Sequence, residues 1–383
     1  MIDRRQILIG GAALGAATLF VPSLAAAQAT GPKRLLFVLL RGAADGLGLL
    51  APVGDPDFER QRGVLAEDFA GAPKIGGMFA FHPGLERTAA MFASGEALVA
   101  HAVASSYRER SHFDAQNLLE TGGASAHALR DGWLNRLLGQ LGTPRPTGLA
   151  IAPAIPLALR GALPVTNFAP SPLPDAAAPL LARVGELYAG DDQLHALWQQ
   201  ALATRAMAGD SAGGNLRNAE VAGTLAASLM SGPGGAGIAM LDLDGWDTHA
   251  NQRGALARQL RQLDALLGAY RSGMGEAWGD TLVLVATEFG RTVRLNGTGG
   301  TDHGTAGAAL VLGGAVRGGR VIADWPGLAD AALHDGRDLR PTGSLEAVLA
   351  GAAAAHFALD PAPTMAALFP GRQHAAVPGL LKA

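Results

Sequence analysis

The stretch from Thr281 to Gly314 constrains the fold more than any other part of the chain. Leu282 to Ala286 is an unbroken apolar run that ends in Thr287-Glu288-Phe289-Gly290-Arg291-Thr292. After a Gly-rich loop, Thr301-Asp302-His303-Gly304 leads into a second apolar run, Ala308 to Leu312. Runs this short and this uniformly apolar predict strands covered on both faces, as in a sheet with helices on either side. In such an α/β sheet, ligands bind in the crevice outside the carboxyl ends of the strands. Glu288, Arg291, Asp302 and His303 are therefore candidates for one shared site.

The same pattern recurs along the chain. Arg34 to Leu40 predicts a central strand that ends in Arg41-Gly-Ala-Ala-Asp45-Gly46. Taken alone, Asp45-Gly46 reads as a turn, since both residues tolerate turn geometry; at the end of a buried strand, Asp45 is also placed to be a metal carboxylate. Gly237 to Leu243 is followed within six residues by Asp244, Asp247 and His249, and then by a helix with Leu256, Leu260, Leu263 and Leu267 on one face. A carboxylate with an imidazole suits Zn²⁺ or a similar ion, whereas carboxylates alone suit Mg²⁺, Mn²⁺ or Ca²⁺. A further strand, Ala97 to Val103, leads to Ser111, just ahead of an amphipathic segment carrying Phe113, Leu118 and Leu119 and stopped at Gly122. Ser111 is either an N-cap or a hydroxyl placed where the helix dipole stabilises a developing alkoxide. Arg108, Arg110, His112 and Asp114 lie close by in sequence.

Composition narrows the functional classes. With 383 residues, 49% apolar and only 16% charged, the chain can bury a large core. A net charge of −3, with no basic cluster beyond the N-terminus, argues against nucleic acid as a partner. The chain has no cysteine, so disulfides and thiolate sites are excluded and any metal must rest on oxygen and nitrogen ligands. Arg4-Arg5, a short apolar stretch from Ile7 to Pro22, and Ala27-Gln28-Ala29 look like a twin-arginine export signal with its cleavage site. This predicts a signal peptide at 1–29, one domain at 30–383, passage through the twin-arginine translocase, a periplasmic or secreted location, and no membrane span after cleavage. Between 131 and 235, Trp133 to Leu138 reads as helix, Leu149 to Ile155 and Leu157 to Leu159 as short strands, and Leu180 to Met207 and Leu216 to Met230 as packing helices.

The order of these motifs resembles the alkaline phosphatase-like superfamily, which includes sulfatases and phosphodiesterases. More closely, Arg41-Gly-Ala-Ala-Asp-Gly46, Arg110-Ser-His-Phe113, Gly245-Trp-Asp-Thr-His249, Glu288-Phe-Gly-Arg-Thr292 and Gly300-Thr-Asp-His-Gly304 resemble the DUF1501 family. The resemblance implies a three-layer sandwich with a central, mostly parallel sheet flanked by helices. It also implies a divalent metal held by Asp45, Asp247, His249, Glu288, Asp302 and His303, with Ser111 as nucleophile, His112 or Asp114 being alternatives to it, and Arg291 or Arg110 offsetting the charge on the transferring group. Phe289 stands where the superfamily has a metal histidine, so a two-zinc site is not expected. The activity implied is hydrolysis of a small-molecule or polymer-linked phosphate or sulfate ester. Two alternatives belong to other classes: an exported binding or assembly protein with a structural metal, and a metal-independent esterase using Ser111 with His112 or His303.

Overall fold

Arg34–Leu40 forms strand β1, and all seven of its residues are buried. Successive side chains of a strand point to opposite faces, so Leu36, Val38 and Leu40 enter one core while Leu35, Phe37 and Leu39 enter another. The computed structural model describes residues 32–142, 146–171 and 176–382. The expected export signal and cleavage site, residues 1–29, lie outside these residues. No helix among those described is long and apolar enough to cross a membrane.

Further strands follow as β2 (Leu50–Ala51), β3 (Ala80–Phe81), β4 (Ala97–Ala104), β5 (Gly148–Ala150), β6 (Val165–Asn167), β7 (Ile238–Leu243), β8 (Thr281–Thr287), β9 (Gly307–Leu312), β10 (Val321–Ile322) and β11 (Gly343–Ser344). The main sheet runs β10-β4-β9-β8-β1-β7-β5-β6, with β11 also pairing with β4. β1 lies parallel to both β7 and β8, but β9 is antiparallel to both β8 and β4. The sheet is therefore mixed, which corrects the expectation of a mostly parallel one. A parallel return would need a long crossover, usually helical, whereas the segment from Glu288 to Ala306 is Gly-rich and polar and comes straight back. The carboxyl ends of β1, β4, β7 and β8 thus meet the amino end of β9 along one edge.

The helices are α1 (Gly46–Leu49), α2 (Phe58–Arg62), α3 (Glu86–Ala93), α4 (His112–Thr121), α5 (Trp133–Gln140), α6 (Ala178–Tyr188), α7 (Asp192–Ala208), α8 (Ala219–Ser231), α9 (Gln252–Met274), α10 (Leu345–His356) and α11 (Pro361–Leu368). α8 and α9 cover one sheet face through Leu225, Leu229, Leu256, Leu260 and Leu263. They approach closely because a Cβ at Gly223 would stand 2.3 Å from the Leu266 carbonyl oxygen. α5, α10 and α11 cover the other face through Trp133, Leu137, Val348, Leu349 and Leu368.

Two local expectations change. Leu157–Leu159, read as a strand, is a single 3₁₀ turn entered from Pro156. Leu180 to Met207, read as one packing helix, breaks into α6 and α7 at Gly190-Asp191, where the Asp191 carboxylate caps α7 through the N–H groups of Gln193 and Leu194. α6 buries none of its side chains, and Leu180, Leu187, Leu194 and Leu197 stay exposed.

Candidate metal centre

Three loops at the shared strand edge carry the site. Ser111 is extended (φ −90°, ψ 121°), so α4 begins at His112. Asp247 and His249 follow β7, where the Thr248 hydroxyl donates to Gln252 Oε1 at 2.8 Å and fixes the turn to the start of α9. His303 lies on the β8–β9 connection, held by isolated bridges between Arg291 and His303 and between Ala250 and Gly299.

The histidines share one arrangement. His112 Nδ1 lies 2.8 Å from Glu288 Oε1, His303 Nδ1 3.0 Å from the Arg110 carbonyl oxygen, and His249 Nδ1 3.2 Å from Asp302 Oδ1. Carboxylate and carbonyl oxygens only accept, so a proton on Nδ1 satisfies these three contacts and turns each Nε2 inward as a lone pair. Those lone pairs converge: His303 Nε2 is 3.0 Å from Nε2 of both His112 and His249. Asp247 completes the group, its Oδ1 2.9 Å from His249 Nε2 and 3.2 Å from His303 Nε2, and its Oδ2 3.5 Å from His112 Nε2. Ligands in a tetrahedron about 2.0 Å from zinc stand roughly 3.3 Å from one another. In that tautomer the rings face lone pair to lone pair and repel, and a shared cation would remove the repulsion; without one, an Nε2–H can donate to Asp247 or to a neighbouring ring. His112, Asp247 and His303 offer ligand atoms that all lie within 4.8 Å of one another, a set that can hold a metal ion.

The electrostatics are set by what surrounds these groups. Glu288 is completely buried; burial pushes its carboxyl up, but hydrogen bonds from His112, Gln116 and the Gly42 N–H outweigh it and hold the group below the ordinary range. The Glu288 hydrogen bond in turn raises the His112 pKa. Burial lowers that of His303, and the neighbouring His112 adds to the effect. Burial also acts to raise Asp247, but the Arg291 guanidinium, 2.6 Å from Oδ1, keeps it low. Phe289 walls the centre on one side: its ring centroid lies 4.9 Å from that of His112 and 5.2 Å from that of His303.

The other residues singled out in the sequence fall around this centre. Glu288, Asp302 and Arg291 touch His112, His249 and Asp247 respectively, one step out from the converging atoms. Asp45 is engaged elsewhere: its carboxylate accepts from the buried Arg62 guanidinium, from the Gln252 amide and from the Leu47 N–H. Ser111 lies next to His112 in the chain, and its N–H donates to the Tyr107 hydroxyl at 3.3 Å. Its side chain makes no cap hydrogen bond.

Sequence reasoning missed Gln116, Arg62, Gln252 and the carbonyl of Arg110. Only Gln116 left a trace, four residues from His112 and hence on the same helix face. Arg110 stands in a motif already noted, though nothing there marks its carbonyl, and Arg62 and Gln252 reach Asp45 from segments with no such mark.

Residues 177–360 match the sequence model of a family described as "Protein of unknown function (DUF1501)". The match contains Asp247, His249, Glu288, Arg291, Asp302 and His303, and begins after Asp45, Ser111 and His112. No curated protein matches the chain.

Proposed function

We propose that the chain is an exported, metal-dependent hydrolase of phosphate or sulfate esters, with a single zinc-like ion held by His112, Asp247 and His303 and with His249 beside them. The observation that carries this reading is the convergence of three imidazole Nε2 atoms on one carboxylate, each ring fixed by an acceptor at Nδ1. Imidazole-rich sets with one carboxylate favour Zn²⁺ over Mg²⁺, Mn²⁺ or Ca²⁺, and histidine ligands held through their second nitrogen are the usual companions of a bound metal. The α/β sheet covered on both faces, with its site at the strand ends, supports the alkaline phosphatase-like reading of the fold.

When bound, such an ion supplies Lewis acidity toward an ester oxygen and makes water acidic enough to react near neutral pH. The residues of the chain prepare the site. Glu288, Asp302 and the Arg110 carbonyl keep the ring protons on Nδ1, Arg291 anchors Asp247, and Phe289 keeps water from the inner side of His112 and His303. Ser111, one residue before His112, is the nucleophile that the resemblance suggests. The anionic ester as substrate class comes from that resemblance, as does delivery by the twin-arginine translocase to the periplasm or beyond.

One observation favours a second reading, an exported binding or assembly protein with a structural metal. Arg62 and Gln252 occupy the Asp45 carboxylate, so that acid offers nothing to a second ion. Metal analysis of the mature protein, with aryl phosphate, phosphodiester and sulfate substrates tested with and without chelator, separates the readings. Metal with chelator-sensitive turnover is expected. Bound metal without turnover on any of these esters would favour the structural reading, and turnover indifferent to chelator would overturn the metal mechanism.

A further inference from the structure

Asp338 is fully buried, although it follows none of the strands whose ends supply the site. Its Oδ2 accepts from Arg110 Nη2 at 2.7 Å, from Arg110 Nε at 3.1 Å and from the Thr305 hydroxyl at 2.8 Å. Arg337 Nε lies 3.0 Å from Oδ1, a charge contact without hydrogen-bond alignment. Both arginines then reach His303 from opposite ends. The Arg110 carbonyl accepts from the ring Nδ1 at 3.0 Å, and Arg337 Nη2 donates to the His303 carbonyl at 2.6 Å. Arg110 has a φ of 61°, a left-handed conformation that residues with a Cβ avoid. Holding its guanidinium against a buried carboxylate supports that backbone and keeps the carbonyl turned toward the ring.

The geometry points to Asp338 as the positioning residue for His303: one buried carboxylate, acting through two arginines, fixes both the acceptor of the ring proton and the backbone that carries the ring. Its effect on metal affinity rests on the metal-centre reading, but the positioning belongs to the metal-free protein. Asp335 also pairs with Arg110, at 3.2 Å, but is well exposed, and the Thr305 hydroxyl and Arg337 pair with Asp338 instead, so it serves as the control.

The experiment uses the mature full-length chain and two readouts. In metal-free protein with ¹⁵N-labelled histidine, the His303 Nδ1–H should give an exchange-protected resonance, assigned by its loss in His303→Gln. It should persist in Asp335→Asn and vanish in Asp338→Asn. Cobalt(II), titrated and followed by its visible absorption, should bind Asp338→Asn about 10–100-fold more weakly than wild type, the usual cost of removing an outer partner of a metal ligand. Arg110→Gly provides a variant in which the left-handed backbone is no longer strained. It should lose the resonance and the affinity in the same way, even if Asp338→Asn folds poorly. Retention of the resonance in Arg110→Gly, or in a folded Asp338→Asn, would overturn the inference. A wild type that shows the resonance but binds no cobalt would sink the metal centre and leave the positioning role standing.

Discussion

Asp45 and Asp247 bring the same functional group to the same edge of the sheet, and their neighbours give them different work. Asp247 faces three imidazoles, whereas Asp45 is closed in by Arg62, 17 residues away in sequence, and by Gln252, 207 residues away. Both follow buried strands, so their place at the strand ends was legible. Which of them offers free lone pairs was not, because that depends on partners no local pattern announces. Asp45→Ala leaves the Arg62 charge buried without its partner and should cost about 3–5 kcal/mol in denaturant unfolding, with metal content near that of wild type. Glu288→Gln tests the other kind of acid. It preserves shape but replaces the charged acceptor of the His112 Nδ1 proton by a neutral amide oxygen, and calorimetric zinc titration should show affinity about 10–100-fold lower.

At the scale of elements, strands were easier to read than their directions. β1, β4, β8 and β9 fall where uniform apolar runs predict them, because a strand covered on both faces has no room for polar residues. The reversal of β9 left no such mark, since parallel and antiparallel central strands carry the same side chains. It depends on a connection in which Gly290 crosses the chain entering β9: a Cβ there would stand 1.9 Å from the Ala306 carbonyl oxygen. Gly290→Ala should therefore prevent stable folding, seen as loss of the cooperative thermal transition. Ser111 marks the opposite case. It enters α4 as N-cap without a side-chain cap bond, so Ser111→Ala should change stability by no more than about 0.5 kcal/mol. Any large loss of ester hydrolysis in that variant would then be chemical and not structural.

Stability of the whole molecule should depend on two buried histidines that are not among the converging groups. Burial lowers both His101 and His356 to about 4. His101 is satisfied only as a neutral ring, Nδ1 accepting the Ala102 N–H and Nε2 contacting the Leu50 carbonyl, and His356 Nε2 contacts the Arg34 carbonyl. A folded-state pKa below the unfolded one means that the unfolded chain binds more protons between the two values, so stability rises with pH across that window. It should be full above about 6.5 and fall by about 1.4 kcal/mol per pH unit for each ring as the pH drops toward 4. Urea unfolding between pH 7 and 4 should show this slope, and the double variant His101→Gln, His356→Gln should show a shallower one, since burial also lowers His82 and His303.

The distance along the chain between His112 and His303, 191 residues, has a consequence for the protein as a polymer. An ion gripping both would tie the chain into a loop of that size, and the entropy removed from the unfolded ensemble by such a tie grows with the logarithm of loop length. Disulfides are the covalent means to this kind of restraint, and a chain without cysteine cannot form them. The centre would then serve as a reversible clasp, fastened only in the folded state and opened by anything that strips the ion.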